Sequence, residues 1–235
     1  MKSQETPVLP PARFVQAVVA ALVPHADPAL RAGMRAYMRD QFDYLGVQTP
    51  MRRAATMQLI RAQKGASAAD LLRCARMLWA LPEREYQYAA VDLLGRCVRL
   101  LKPGHIAALL ALVRKKSWWD TVDALADVIN RIVHANCAED AAAQAMMDAA
   151  IVSNNLWVRR VAIIHQLGWR GRTDTVRLFA YATARAHEEE FFIRKAIGWA
   201  LRDYARHAPE DVRAFLRANK DVLSPLSLRE AGKHL

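Results

Sequence analysis

Four stretches of this 235-residue chain open on aromatic side chains and continue as helical patterns: Glu85-Tyr86-Gln87-Tyr88-Ala89-Ala90, Ser117-Trp118-Trp119-Asp120-Thr121-Val122-Asp123, Leu156-Trp157-Val158-Arg159-Arg160-Val161-Ala162 and Glu190-Phe191-Phe192-Ile193-Arg194-Lys195-Ala196. With Tyr86, Trp118, Trp157 and Phe192 aligned, the steps are 32, 39 and 35 residues. One shorter helical segment lies in each gap, at 103–114, 139–150 and 173–184. A two-helix unit recurring at this period is the mark of a HEAT or armadillo solenoid, in which each helix pair buries its apolar face only against the next. Such a repeat demands an all-α protein, a HEAT-like helical solenoid (an α-α superhelix) whose second helices line a concave face.

Local signals agree. Pro10-Pro11 opens the first helix, and Asp27-Pro28 supplies an N-cap and a first-turn proline to the second. Thr49-Pro50 is expected to do the same for a third, and Ser67 precedes a fourth. Pro82, Pro103, Ser117, Asn154-Asn155, Thr173 and Pro209 mark further starts. Nowhere do β-branched residues alternate with polar ones, so about twelve helices are expected, most of roughly 11 to 19 residues. No linker interrupts the pattern. The expectation is a single domain over 1–235, with N-terminal helices at about 10–63, repeats at about 67–207 and C-terminal helices at about 209–233.

A formal net charge of +11 points to a polyanionic partner, nucleic acid before an anionic membrane surface, and makes the expected concave face basic. The start, MKSQETPVLPPAR, lacks the long apolar stretch of a secretion signal, and the apolar run 15–23, broken by Gln16, is too short to span a bilayer. A cytoplasmic protein, nucleoid-associated when bound to DNA, is the expectation. Cys74, Cys97 and Cys137 are odd in number and scattered, which fits reduced core thiols better than disulfides. His134 and Cys137 have a metal-like spacing but no second pair beside them, so neither a metal site nor a cofactor is expected.

Trp119 and Asp123, four residues apart, share one face of their helix. Arg160 takes a similar place in the next repeat, and Trp199 lies one to two turns into the helix after that. If these helices line the concave surface, a carboxylate, two indoles and a guanidinium converge in a basic groove. Equally, Trp118, Trp119, Trp157 and Trp199 can all be core, and Asp123 a solvated partner of Arg131 or Lys116. Spacing leaves both readings open.

Four blocks then carry a resemblance. They are Tyr37-Met38-Arg39 with Phe42-Asp43-Tyr44-Leu45-Gly46-Val47-Gln48-Thr49-Pro50-Met51-Arg52-Arg53; Lys116-Ser117-Trp118-Trp119-Asp120-Thr121-Val122-Asp123; Asn155 through Ile163; and Phe191 through Tyr204. The tail Leu223 to Glu230 is also similar. From about residue 30 to its end the chain resembles the AlkD-like DNA alkylation repair glycosylases, HEAT-like repeat enzymes that excise 3-methyladenine and 7-methylguanine. Carried over residue by residue, the resemblance implies Asp123 as the catalytic carboxylate and Trp119 and Trp199 as the paired active-site indoles. It implies Arg160 as a DNA-contacting arginine, Tyr37 near the cleft, Gln48 against the duplex opposite the lesion, and Arg202 on the backbone. Arg52, Arg53, Lys115, Lys116, Arg159 and Arg160 fall at or near helix N-termini, where backbone N–H groups favour phosphate. Where the family's lysine is expected after the third block this chain has Gly168, with Arg170 two residues on.

The implied activity is hydrolysis of the N-glycosidic bond of cationic N3- and N7-alkylpurines in duplex DNA by a monomer, without full base flipping and without metal or cofactor. The alternative is a HEAT-like protein that grips damaged or branched DNA without cutting that bond. A third is a protein-binding scaffold, with no affinity for DNA.

Overall fold

Cap chemistry sets where the helices begin. The Asp27 carboxylate accepts the Ala29 N–H at 2.9 Å, the Ser67 hydroxyl accepts the Asp70 N–H at 3.0 Å, and the Asn155 side chain accepts from both Trp157 and Val158. The computed structural model describes residues 7–136 and 141–235, and Cys137 lies outside them. Among the described residues there are thirteen α-helices and no strand. In the first part of the chain these are α1 (Pro11–Leu22), α2 (Pro28–Tyr37), α3 (Thr49–Ala62), α4 (Ala68–Ala80) and α5 (Arg84–Arg96). The rest are α6 (Ile106–Val113), α7 (Trp119–Asn136), α8 (Ala141–Ile151), α9 (Leu156–Ile164), α10 (Thr175–Ala184), α11 (Phe191–Ala205), α12 (Pro209–Ala218) and α13 (Pro225–Ala231). None is long and apolar enough to cross a membrane.

The expected alternation of shorter and longer helices holds around α7 and α11 but fails at α9, which is shorter than both α8 and α10; six helices, α2, α6, α9, α10, α12 and α13, have ten residues or fewer, short of the expected span. α6 is short because Pro103-Gly104-His105 winds as a 3-10 turn. α9 stops at Ile164 because the chain turns sharply through Gly168, at φ +81°. Two starts also shift by one residue. Gln48, not Thr49, holds the cap position of α3, without a side-chain bond, and Asp174, not Thr173, caps α10 by accepting the Arg177 N–H.

The chain divides into two compact units, Met1–Lys102 and Pro103–Leu235. In the first, α1 packs on α3 and α4, and α5 packs on both of those, around Phe14, Leu22, Leu71, Leu78 and Leu93. A buried carboxylate organises its longest loop: Glu85 accepts the backbone N–H groups of Leu45, Gly46 and Val47 at 2.9–3.0 Å. Gly46 sits at φ +88°, and a Cβ there would lie 2.1 Å from the Asp27 carbonyl oxygen, so no other residue fits. This loop delivers Gln48 to the start of α3. Beside it, the fully buried Arg84 lays its guanidinium 3.7 Å from the Phe42 ring centroid.

In the second unit α9 is central, packed against α7, α8 and α11, around Leu125, Ile129, Val158, Val161, Ile193 and Ile197. Each fully buried aliphatic side chain of this kind contributes about 1.5–3 kcal/mol. α13 lies on α11 at Gly198, where a Cβ would stand 2.4 Å from the Glu230 Cβ. Only glycine allows that approach.

Candidate active site and nucleic-acid interface

The approach to α7 is bent by Lys116, which adopts φ +50°, and fixed by the Ser117 hydroxyl donating to the Val113 carbonyl at 2.5 Å. α7 then begins at Trp119, which puts Asp123 one turn into the helix on the same face. The Asn155 cap sets the register of α9, so Arg160 emerges in its second turn toward α7.

There the two meet. Arg160 Nε donates to Asp123 Oδ1 at 2.7 Å and Nη2 to Oδ2 at 2.8 Å, while Nη1 donates to the Phe192 carbonyl at 2.6 Å. This is a bidentate charge-assisted pair, with a third bond to the first turn of α11. The guanidinium is 5% exposed and the carboxylate 19%, so the carboxylate is the accessible end. A carboxylate has about four lone-pair positions, and a fork of two N–H groups takes one on each oxygen. The others remain for a water or a developing cation. Trp199 lies seven residues beyond Phe192 on α11, about 10 Å along the axis and on the same side of the helix.

The four tryptophans divide. Trp157 is buried and Trp118 packs on it, with ring centroids 5.7 Å apart, both against Phe192 at 4.9 and 5.1 Å. These two are core. The Trp118 Nε1 atom is buried without a hydrogen-bond partner among the described residues, while its ring is held by the aromatic packing. Trp119 and Trp199 are half-buried.

The arginines divide as well, and four depart from the expectation of open contacts with DNA. Arg160 is committed to Asp123 and Phe192. Arg52 is 5% exposed, bound to Asp92 at 3.2–3.3 Å and to the Thr49 hydroxyl, with its guanidinium 4.8 Å from the Tyr88 ring centroid. Arg159 donates to Glu188 at 2.7 Å and to the Ser153 carbonyl at 2.8 Å, and is mostly buried. In each case a carboxylate supplied by another segment draws the guanidinium inward. Arg202 donates to Glu230 at 2.8 Å, whose carboxyl is held below the usual range by the Lys233 ammonium and by Arg202. Tyr37, in contrast, is 72% exposed at the end of α2, Gln48 and Arg53 are exposed at the start of α3, and Lys116 is half-exposed. Asp123 itself pairs with Arg160 rather than with Arg131, which reaches Asp127 instead.

Gly168 has a backbone reason to replace a lysine. Its φ of +81° strains any side-chain-bearing residue, and its N–H donates to Asp203 at 2.7 Å. The following Trp169 is pinned by its indole N–H donating to Asn130 at 2.6 Å, which leaves Arg170 exposed in a left-handed conformation. Among the described residues no three His, Cys, Asp or Glu side chains gather as metal ligands.

Sequence reasoning missed Glu85, Glu188 and Glu230, the carboxylates that hold the loop before α3 and neutralise Arg159 and Arg202. Each acts on groups tens of residues away, and no local pattern marks it.

The sequence model described as DNA alkylation repair enzyme matches residues 18–235. A solved structure described as a predicted DNA alkylation repair enzyme from Enterococcus faecalis is 34% identical, covers 89% of this chain and 96% of its own, and superposes with a TM-score of 0.83. AlkD2 from Streptococcus mutans is similar at 19% identity over 75% of this chain and 86% of its own, with a TM-score of 0.61. The smu.31 protein of Streptococcus mutans UA159 is similar at 16% identity over 94% and 99%, with a TM-score of 0.63. These last two share the helical-repeat fold. No protein of curated function matches the sequence.

Proposed function

Because the chain belongs to the DNA alkylation repair enzyme family, we propose that it is a monofunctional DNA glycosylase, its residues 1–235 acting as one domain on duplex DNA. The substrates are purines alkylated at N3 or N7. Such a base already carries a positive charge, so its glycosidic bond breaks without a proton from the protein. The bonding electrons leave with the base, which departs neutral, and C1′ is left with oxocarbenium character. Water then adds to C1′, giving an abasic site and a proton released to solvent.

In this reading the chain has to stabilise the sugar cation. Asp123 does so through the lone pairs that Arg160 leaves open, and the same edge orients the water. Arg160 is a positioning residue: buried beneath the carboxylate, it fixes the rotamer before substrate arrives. The indole faces of Trp119 and Trp199 attract the cationic nucleoside by about 0.5–2 kcal/mol per contact. Tyr37, Gln48, Arg53 and Lys116 grip the duplex, and the lesion stays near the stack instead of turning fully into a pocket.

The observation that carries the reading is the bidentate Asp123–Arg160 pair with the carboxylate as its accessible end. That pair also favours a second reading, a non-catalytic DNA binder, since a carboxylate already matched to an arginine has a structural use. Incubation with duplex DNA containing 7-methylguanine separates them. Release of free base, with or without EDTA, is expected, and intact DNA after prolonged single-turnover incubation overturns the glycosylase.

A further inference from the structure

A groove of about 270 Å³ opens between α3 and α5 in the first unit, and of the DNA-contact residues assigned above only Arg53 lines it. Its walls are Arg53, Thr56, Met57, Ile60 and Arg61 of α3 with Asp92 and Arg96 of α5. Arg53, Met57, Ile60 and Arg61 follow one another at spacings of four, three and one, so they form a stripe along a single face of α3.

Two features set this groove apart. The first is its charge: three guanidiniums face one carboxylate. That carboxylate, Asp92, is already matched from below by the buried Arg52 at 3.2 Å and shared with Arg53 at 3.4 Å. Arg61 and Arg96 are exposed, and no ion pair claims either among the described residues. Guanidiniums held on facing helices without a counter-ion attract an anion with planar, forked acceptors. The second feature is Met57, 42% exposed between the arginines, with Ile60 behind it. An apolar strip inside a cationic rim suits a ligand whose charged groups are joined by an uncharged carbon frame.

A polynucleotide strand has that alternation. We propose that this groove holds the sugar–phosphate backbone of DNA, with phosphate oxygens on Arg61 and Arg96 and deoxyribose against Met57 and Ile60. The inference rests on the reading of the chain as a duplex-binding enzyme and extends the contacts of α3 from Gln48 and Arg53 at its start to Arg61 at its end. It assigns no base contact, so the groove adds affinity without sequence preference.

The test uses the full chain and an undamaged fluorescent duplex, with anisotropy read between 50 and 200 mM salt. An Arg61→Ala/Arg96→Ala variant is compared with Arg13→Ala/Arg73→Ala, which removes the same charge from exposed positions on α1 and α4. Removing one cationic partner of a phosphate lowers the slope of log K against log salt by about 1, so the groove variant should fall by roughly 1 to 2 in slope and about tenfold in affinity. The control should change much less. A third variant, Met57→Glu, alters an exposed position and sets a carboxylate among the three guanidiniums; it should melt no lower than the wild type and bind DNA as weakly as the double variant. Equal decreases in the two double variants, or none in the groove variant, overturn the groove while leaving the glycosylase reading intact. The groove is likewise overturned if polyglutamate binds the wild type and binds the groove variant less well while DNA binding holds, which assigns this surface to an acidic polypeptide. Absence of salt-dependent DNA binding by the wild type overturns the functional reading and the groove with it.

Discussion

Replacing Asp123 by Asn removes one charge and leaves the side-chain shape almost unchanged, and its cost can be worked from the contacts of Arg160. In the native pair two N–H groups meet two anionic oxygens at 2.7 and 2.8 Å. In the variant one of those N–H groups meets an amide NH2 instead, and the other bonds a neutral oxygen. Hydrogen bonds to charged partners contribute about 1.5–3 kcal/mol each and neutral ones about 0.5–1.5, so the loss is roughly 2–4 kcal/mol. The surviving bond to the Phe192 carbonyl keeps the cost below that of stranding a buried arginine outright. A fall in Tm of about 5–15 °C is expected for a chain of this size.

Excision reads a different quantity. If Asp123 stabilises the sugar cation, single-turnover release of 7-methylguanine should slow by about 10²- to 10³-fold, the scale of one preorganised electrostatic partner. The lower end is expected, because Arg160 offsets part of the field and the cationic base is already a good leaving group. The companion variant, Arg160→Met with Asp123→Asn, removes both charges. It should recover most of the lost stability, since no buried charge is left unmatched, while the excision rate stays low. Recovery of rate together with stability in the double variant would show that the carboxylate only holds the fold.

Two further perturbations bear on the scaffold. Gly198→Ala brings a methyl group 2.4 Å from the Glu230 Cβ and 2.9 Å from the Ser227 carbonyl oxygen, so α13 must move off α11. A loss of about 1–3 kcal/mol is expected, and an unchanged thermal melt would refute the tight approach. His165 is fully buried, its Nδ1–H donating to the Ala162 carbonyl at 2.6 Å and its Nε2 accepting from the Gln144 amide at 3.2 Å; burial pushes its pKa down from 6.5 to about 4. The unfolded chain therefore takes the proton first, so this contribution is complete above about pH 6.5 and fades as pH falls toward 4, by roughly 3 kcal/mol at most. His165→Gln should flatten the melt profile in that window, and an equally steep profile in the variant removes His165 as its cause.

What was legible in the sequence had short range. Asp27, Ser67 and Asn155 announce helix starts because a cap bonds within three residues of itself. Thr49 and Thr173 mislead by one position, since Asp174 offers the Arg177 N–H a stronger acceptor than Thr173, and Pro50 is as well placed at the second helical residue as at the first. The Trp119–Asp123 face followed from helical spacing alone. The partner of Asp123 did not, because it lies 37 residues on, in the next repeat. Nor did spacing sort the tryptophans: Trp118 and Trp119 are neighbours in sequence and both half-buried, and Trp118 is held by Trp157 and Phe192, which arrive from later repeats. Arginines at helix starts looked uniformly available, yet Asp92 and Glu188 arrive from other segments to engage Arg52 and Arg159, as Glu230 does Arg202 in the last turn of α11.

The proposed catalytic pair is therefore a product of stacking one repeat on the next. α7 contributes the carboxylate, α9 the guanidinium, and α11 the Phe192 carbonyl that takes the third N–H. A guanidinium fixed at three points cannot rotate to follow a helix that slides, so the orientation of Asp123 depends on the spacing of all three helices. That spacing rests in turn on features with no chemistry of their own: the Trp118–Trp157–Phe192 cluster at the starts of these helices, and Gly198, which lets α13 lie against α11. A substitution at Gly198 should then slow excision as well as lower the melt, although it touches neither Asp123 nor Arg160. Its effect should also combine with that of Arg160→Met by less than the sum of the two, because once the guanidinium is gone α11 no longer bears on the carboxylate. Strict additivity of the two variants in single-turnover rate would mean that Asp123 is oriented within α7 alone, and that the contact across three repeats serves stability only.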